Sequence, residues 1–374
     1  MNRDPLTTGE TTSGCVLCSG RRLGPFVVFG VMLVDEMPET QDVLVPLPLA
    51  AIFLVATVRP GTEADVRDGL ADVASITRSA GFGASEAGLN CVVGLGSRVW
   101  DRLFPDVPRP AELHPFRDFV GETHSAIGTA GDLLFHIRAG RSDLCFETAR
   151  RLIERLDGCI DVVDEVHGFR YFDRRDLLGF VDGTENPTGA AAAEAVYLAE
   201  GDAYAGGSYA LVQKYVHDLD AWNKLSTEEQ ELVIGRRKLS DTELSDDELP
   251  TNSHVAANTI VDADGEEREI VRANMPFGTV GSAEFGTYFI AYAASPDVIE
   301  EMLENMFIGK PPGNHDRILD FSTAVTGGLF FVPPADFLED QTVAACDVQE
   351  TATAATETPS SDGSLRIGGL GRQR

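Results

Sequence analysis

Apolar, β-branched segments alternate with amphipathic segments along the chain from about residue 43 onward. In the first half, four segments are apolar enough to form buried strands: residues 50–59 (AAIFLVATVR), 90–95, 132–139 and 161–172. Two further segments, residues 62–81 and 143–156, carry apolar side chains at the spacing of one helix face. Their order along the chain is β-α-β-β-α-β, which predicts a ferredoxin-like unit.

The second half repeats this order of elements. Its pattern predicts strands at residues 207–217, 260–272 (with Gly265 at a turn), 287–294 and 326–332, and helices at residues 227–235 and 297–306. We therefore predict an α+β fold built of two ferredoxin-like units. If the two sheets pack face to face, the crevice between them is the expected place for a cofactor.

The two chain ends differ in composition from these halves. We predict a leader at residues 1–42 that is disordered or reflects a mis-assigned start, an N-terminal half at 43–185, a C-terminal half at 186–338, a flexible linker at 339–361 and a terminal peptide at 362–374. The linker is rich in Ala, Thr, Glu and Ser, which cannot form a core. The apolar run at residues 23–34 is shorter than the roughly 20 residues that span a bilayer, so we expect no membrane partner.

Charge and cysteine content argue against nucleic-acid binding, a disulfide-stabilised fold and a cysteine-ligated zinc site. The chain has 374 residues, of which 60 are acidic and 30 are basic, and its net charge is −30. Such a chain repels phosphate backbones, so a nucleic-acid partner is not expected. The six cysteines give no disulfide framework in a chain of this length. Cys15 and Cys18 form a lone CxxC, whereas a zinc site of this kind needs further ligands.

The candidate chemistry lies in three short segments: GFVDGTENPTG at residues 179–189, TNSHV at 251–255 and VRANMPFG at 271–278. They offer an aspartate in a glycine-rich turn, a histidine, and an arginine with an asparagine two residues on. His254 follows an acidic loop, and a loop of this kind can present one imidazole to a haem iron. A carboxylate on the other ring nitrogen would make the imidazole more electron-rich. Asp316 is the first candidate for that carboxylate, and Asp320 is the second.

The other candidate residues each have an ordinary alternative role. Asp182 either caps the backbone amides of its turn or moves a proton between the two oxygens of peroxide. Arg272 either forms a surface ion pair or stabilises a departing hydroxide, and Asn274 could hold this arginine or bind the same water. Arg236 either closes a helix or pairs with a haem propionate, because a guanidinium matches a carboxylate in two hydrogen bonds.

Together, these segments resemble a known family. GFVDGTENP, SHV, R-x-N-MPFG and DFSTAVTGGLFFVP are similar to the motifs of the dye-decolourising peroxidases, specifically their bacterial type B branch, over about residues 43–338. The resemblance implies a dimeric α+β-barrel, ferredoxin-like fold, a homo-oligomer and one haem b per subunit. By position in the motifs, His254 matches the axial iron ligand, whereas Asp182, Arg272 and Asn274 match the distal set.

The same resemblance predicts a haem peroxidase that reduces hydrogen peroxide while it oxidises dyes, phenols or similar one-electron donors. The alternative function is a haem-binding protein that handles haem iron, resembling the deferrochelatases. Trp100, Trp222 and Tyr215 are candidate relays for electrons from bulky donors, although we interpret each of them first as a packing residue.

The terminal peptide DGSLRIGGLGRQR, at residues 362–374, resembles the cargo-loading peptides of encapsulated enzymes, a class that includes dye-decolourising peroxidases. The resemblance implies that Leu365, Ile367 and Leu370 bind apolar pockets on the inner wall of an encapsulin shell. It also implies a cytoplasmic location inside such a nanocompartment. The plain alternative is a tail without a partner.

Overall fold

The computed structural model describes residues 39–183, 185–262 and 264–341 of the chain. The predicted terminal peptide and nearly all of the predicted leader and linker lie outside these residues. The described ends are structured, and both differ from the predicted boundaries. Helix α10, Ala335–Asp340, extends into the predicted linker. Gln41, which the sequence places in the leader, is buried, and its amide donates to the carbonyls of Val93 at 3.0 Å and Pro333 at 2.9 Å.

Strands and helices follow the apolar pattern in most places. The strands are β1 Ala50–Val58, β2 Asn90–Gly96, β3 Phe119–Val120, β4 Ser125–Ala126, β5 Leu133–Ala139, β6 Ile160–Phe169, β7 Ser208–His217, β8 Val271–Arg272, β9 Met275–Thr279, β10 Glu284–Ala293, β11 Ser322–Ala324 and β12 Gly328–Val332. The helices are α1 Glu63–Ala71, α2 Val73–Gly81, α3 Ser97–Leu103, α4 Ser142–Arg155, α5 Ala190–Val196, α6 Leu219–Trp222, α7 Thr227–Ile234, α8 His254–Asn258, α9 Asp297–Phe307 and α10. Short 3-10 helices lie at Ser85–Ala87, Val280–Ser282 and Arg317–Asp320.

One antiparallel sheet connects the two halves. Its order is β6-β1-β5-β2-β12-β7-β10-β8, with β11 beside β7 and β9 beside β10, while β3 and β4 form a separate hairpin. The N-terminal half contributes β6-β1-β5-β2 and the C-terminal half β12-β7-β10-β8. Numbered along the chain within each half, both orders are 4-1-3-2, which is the ferredoxin-like arrangement. The halves meet where β2 pairs with β12, at Leu95 opposite Phe331. The predicted α+β fold of two ferredoxin-like units is confirmed.

Both faces of the sheet are buried at the inner strands β1 and β5, which explains their nearly continuous apolar runs. On the face shared by the two halves, the Phe53 ring stacks on Tyr288 with centroids 4.1 Å apart and on His136 with centroids 4.6 Å apart. At the outer strands, β6 lies against β9, where a Cβ on Gly168 would be 2.6 Å from that of Met275. Large side chains therefore occupy much of the space between the two halves of the sheet. The prediction that this space holds the cofactor site is wrong, because the candidate residues line a cavity on the other, helix-covered face.

Two predicted elements differ in detail. The helix predicted over residues 62–81 is interrupted between α1 and α2 at Asp72, whose Oδ2 accepts from Nε of Arg155 at 2.6 Å. The strand predicted over residues 260–272 is mostly a turn, because Asp262 accepts from the amides of two residues that follow it. Its acidic side chains are exposed and have no sheet face to cover, so only β8 forms there. None of the helices within the described ranges is long and apolar enough to cross a membrane.

Candidate active site

A short helix presents His254 to a cavity in the C-terminal half. Helix α8 begins at His254 because Ser253 caps it, and the Ser253 hydroxyl accepts from the amide of Ala256 at 3.3 Å. Nδ1 of His254 lies 2.7 Å from Oδ2 of Asp316, which is completely buried. The other oxygen of Asp316 accepts from the amide of Ile318 at 2.9 Å and so caps the 3-10 helix that follows. Of the two candidate carboxylates, the structure thus places Asp316 against the imidazole.

This ion pair determines the charge and the orientation of the imidazole. A carboxylate only accepts, so Nδ1 of His254 donates, and Nε2 of the neutral ring keeps its lone pair. Desolvation alone would lower the pKa of His254, but the charge and hydrogen bond of Asp316 outweigh it and hold that pKa above its usual value. Within the described part of the chain, Nε2 has no hydrogen-bond partner, although His254 lines the cavity. Nε2 is therefore available to a metal, whose binding would displace the second proton that the raised pKa favours.

Asp182, Arg272 and Asn274 line the same cavity. Oδ1 of Asp182 accepts from Nδ2 of Asn274 at 3.3 Å, and Oδ1 of Asn274 accepts from the amide of Ile290 at 3.1 Å. Gly183 has φ +76°, a left-handed conformation that lets the chain turn directly after Asp182. The Asp182 carboxylate is thus held by an amide that is itself fixed to β10.

Asn186 fixes the backbone of Arg272. Its Oδ1 accepts from the Arg272 amide at 2.9 Å, and its Nδ2 donates to the Arg272 carbonyl at 2.7 Å. The guanidinium Nε is buried and has no hydrogen-bond partner among the residues that the structure describes. An unpaired buried donor costs about 1–3 kcal/mol. Because Arg272 lines the cavity, its positive charge lies beside any anion that binds there.

The cavity opens to solvent, and the space within and in front of it amounts to about 1420 Å³. Helix α9 contributes an apolar wall through Ile299, Met302, Leu303 and Met306, and Phe289 of β10 adds to it. A free imidazole nitrogen, an apolar wall and a guanidinium fit the haem that the motifs imply.

Two family models cover nearly all of the described chain. The model described as Dyp-type peroxidase, N-terminal, matches residues 40–170, and the one described as Dyp-type peroxidase, C-terminal, matches residues 173–337. The chain belongs to the Dyp-type peroxidase family. The resemblance inferred from the motifs is confirmed, and the protein is a peroxidase.

Relatives of this peroxidase match it over most of their own length. A dye-decolorizing peroxidase of Rhodococcus erythropolis is 59% identical over 333 residues, which are 89% of this chain and 97% of the relative. The encapsulated DyP-type peroxidase of Mycobacterium smegmatis has a TM-score of 0.80 and 58% identity, over 81% of this chain and 98% of that one. A DypB variant of Rhodococcus jostii, solved in complex with heme, has a TM-score of 0.78 and 54% identity, over 81% and 99% of the two chains.

Arg236 lines the cavity of the peroxidase, but three carboxylates already surround its guanidinium. It donates to Oδ1 of Asp241 at 3.1 Å, to Oε1 of Glu243 at 3.2 Å and to Glu185. A haem propionate would have to share these donors with the three acids. That Arg236 binds a propionate stays a prediction.

The three candidate relay residues occupy different places. Tyr215 lines the cavity and donates its hydroxyl to Gln213 at 2.7 Å, and burial raises its pKa. Trp222 packs against Phe180, a cavity-lining residue, with ring centroids 6.2 Å apart. Trp100 is buried in a separate aromatic cluster. Packing accounts for each of them, and a relay role stays a prediction.

Two polar residues of the peroxidase site were not predicted from the sequence. Asn186 belongs to the GFVDGTENPTG motif, and its position before a proline predicts a turn. The local sequence does not predict that its side chain hydrogen-bonds to Arg272 of strand β8. Asp176 lines the cavity, where desolvation, with a smaller effect of the charge on Asp182, raises its pKa to about 7. The local sequence of Asp176 gives no signal, because its burial depends on the chain that folds around the cavity.

Proposed function

We propose that this peroxidase holds one haem b per subunit, with Nε2 of His254 as the axial ligand. The observation that carries the proposal is the 2.7 Å hydrogen bond from His254 to the completely buried Asp316. An anionic partner on Nδ1 fixes the ring and raises the basicity of the coordinating nitrogen. When bound, haem supplies the redox-active iron at which hydrogen peroxide is reduced. Electron-rich ligation of this kind favours peroxide reduction over iron handling, the alternative function.

Asp182 is the proton carrier in this proposal. Peroxide reduction requires a proton to move from one oxygen to the other, and a fixed carboxylate can accept the proton and return it. The amide of Asn274 orients this carboxylate through the 3.3 Å hydrogen bond. Arg272, which lines the cavity, stabilises the negative charge on the departing oxygen. Two donor molecules supply one electron each, and with two protons they complete the reduction of hydrogen peroxide to two water molecules.

Substitutions at these two positions test the proposal. In haem-loaded protein, Arg272→Leu and Asp182→Asn should each slow the change in haem Soret absorbance after peroxide addition by about 100-fold or more. Arg102→Leu is the matched control, because Arg102 pairs with Glu63 at 2.7 Å and does not line the cavity. An unchanged rate in a haem-loaded Arg272→Leu protein would remove Arg272 from the mechanism.

The proposed donors are dyes, phenols and similar one-electron reductants. A donor too bulky for the cavity would pass electrons through Tyr215, which lines it, or through Trp222, which lies behind Phe180. Tyr215→Phe and Trp222→Phe should then slow the oxidation of a bulky dye without changing the rate of the peroxide reaction. Equal loss with a bulky dye and a small phenol would contradict a relay.

We further propose that the peroxidase is a homo-oligomer packaged in the cytoplasm inside an encapsulin shell. The terminal peptide and the description of the M. smegmatis relative as encapsulated support this. Several tails on one oligomer would bind the shell with increased avidity. Deletion of residues 362–374 should abolish co-purification with a co-expressed shell protein and leave turnover intact. A variant with serine at Leu365, Ile367 and Leu370 keeps the length of the tail and removes only these apolar side chains, and it should also fail to co-purify. Persistent co-purification contradicts the assignment.

A further inference from the structure

Two histidines and an aspartate converge outside the haem cavity. Nε2 of His124 lies 3.3 Å from Oδ1 of Asp320, and Nε2 of His315 lies 3.0 Å from the same oxygen. The three ligand atoms all lie within 4.8 Å of one another. None of the three residues lines the cavity that contains His254.

We propose that His124, His315 and Asp320 form a binding site for a divalent transition-metal ion of the zinc class. Two imidazole nitrogens and a carboxylate oxygen are a common donor set for Zn²⁺, with water in the fourth position. Ligand atoms of a tetrahedral site with bonds of about 2.0–2.1 Å lie about 3.3 Å apart. The two contacts to Asp320, at 3.3 and 3.0 Å, already have this spacing, and the two imidazole ligand atoms lie within 4.8 Å of each other.

Folding brings the ligands together from distant parts of the chain. His124 lies in the turn between β3 and β4. His315 lies two residues before the 3-10 helix Arg317–Asp320, and Asp320 is the last residue of that helix. The two imidazole rings meet edge to face with centroids 4.7 Å apart, and both Nε2 atoms contact the same carboxylate oxygen. The side chains of His124 and His315 are 22% and 23% exposed and that of Asp320 is 40% exposed, so an ion and its water could enter from solvent.

Charged side chains lie near Asp320 and near the segment that carries His315. Nε of Arg317 lies 4.0 Å from Oδ2, so its positive charge faces the oxygen that does not contact the histidines. Glu122, in the same turn as His124, has a carboxylate oxygen 3.5 Å from the position of a Cβ on Gly313. A second carboxylate therefore lies close to the segment that carries His315.

An ion here would connect the β3–β4 turn to the segment that supports His254. His315 directly precedes Asp316, and Asp320 ends the short helix that Asp316 caps. Metal binding would restrain that segment in the folded state, and a ligand that binds only the folded state raises the melting temperature. The metal site itself does not depend on the proposed role of His254.

Zinc binding to the full-length, untagged, haem-loaded protein tests the proposal. Equilibrium dialysis with ZnCl₂ and elemental analysis should give one saturable zinc per chain and a raised melting temperature. His124→Ala and the conservative Asp320→Asn should each weaken this binding by about 100-fold. The matched control is His167→Ala, because His167 contacts the carboxylate of Glu165 at 2.6 Å on the surface. It should bind zinc as the wild type does.

Three outcomes would overturn the proposal. They are no saturable zinc in the wild type, undiminished binding in folded His124→Ala and Asp320→Asn proteins, or equal loss in the His167→Ala control. Repeating the dialysis in a His254→Ala background excludes the cavity imidazole as the zinc ligand. A result there that matches the wild type supports the site even if the proposed axial role of His254 fails.

Discussion

Replacing Asp316 by asparagine isolates the charge that supports the proposed axial histidine. Asparagine is nearly isosteric, and its side-chain oxygen can still accept from the amide of Ile318, so the following 3-10 helix keeps its cap. The 2.7 Å contact to Nδ1 of His254 loses its anionic acceptor. The substitution therefore removes a charge without removing a cap or opening a cavity.

The expected effect can be worked out in two ways. A hydrogen bond to a charged group contributes about 1.5–3 kcal/mol, and Asp316 is completely buried, so solvent does not weaken it. Loss of the partner of a metal-bound histidine independently costs about 10–100-fold in metal affinity, which is about 1.4–2.7 kcal/mol. The two ranges agree. If the loss falls on the ferric state alone, each tenfold step raises the reduction potential by about 59 mV.

The assay is haem titration of the apo-protein, followed by the ferric–ferrous potential of the loaded protein. Asp316→Asn should weaken haem binding by about 10–100-fold and raise the potential. Asp218→Asn is a suitable control, because Asp218 caps α6 by accepting from the amide of Ala221 at 2.8 Å and has no histidine partner among the described residues. Wild-type affinity and potential in Asp316→Asn would refute the reasoning.

Three further predictions concern residues around the cavity. Asn186→Ala should lower stability by about 1–3 kcal/mol and slow the peroxide reaction, because the backbone of Arg272 loses both hydrogen bonds to Asn186. Thermal melts measure the loss of stability, and Soret kinetics measure the peroxide reaction. An unchanged melting temperature or an unchanged rate would contradict the prediction. Gly183→Ala should cost about 1–2 kcal/mol, since φ is +76° there, and it should misplace Asp182; a wild-type melting temperature would exclude the strain. Asp176, with a folded-state pKa of about 7, keeps its proton when the unfolded chain, with a pKa of about 3.9, has lost it. Stability present below about pH 4 should therefore fall by up to about 4 kcal/mol as the pH rises to about 7, and chemical denaturation of Asp176→Asn should lack this fall.

The sequence was most informative where local pattern alone determines structure. Strands such as β1 and β5 are buried on both faces, so their apolar runs could be located directly. Asp182 lies about 90 residues before Arg272 and Asn274 in the chain, and the structure places all three in one cavity with His254. Their types and order carried enough chemical information to indicate haem peroxidase chemistry before any contact was known.

Side-chain size and long-range contacts determined what the sequence did not reveal. The space between the two halves of the sheet is occupied by rings such as Phe53 and Tyr288, whose stacking depends on strand register, and the cavity therefore lies on the other face. The acids around Arg236 come from two separate loops, so no local pattern predicts that its donors are already engaged. The pairing of His124 with Asp320 spans 196 residues, which is equally invisible to local patterns.

The most direct test of the account is the identity of the axial ligand. Haem-loaded wild-type protein and His254→Ala would be compared by visible absorption and by pulsed EPR, with unlabelled and isotope-labelled histidine. The account predicts a histidine nitrogen coupled to the iron in the wild type, its loss in His254→Ala, and restoration of the absorption spectrum by added imidazole. An unchanged spectrum and an unchanged histidine coupling in His254→Ala would contradict it.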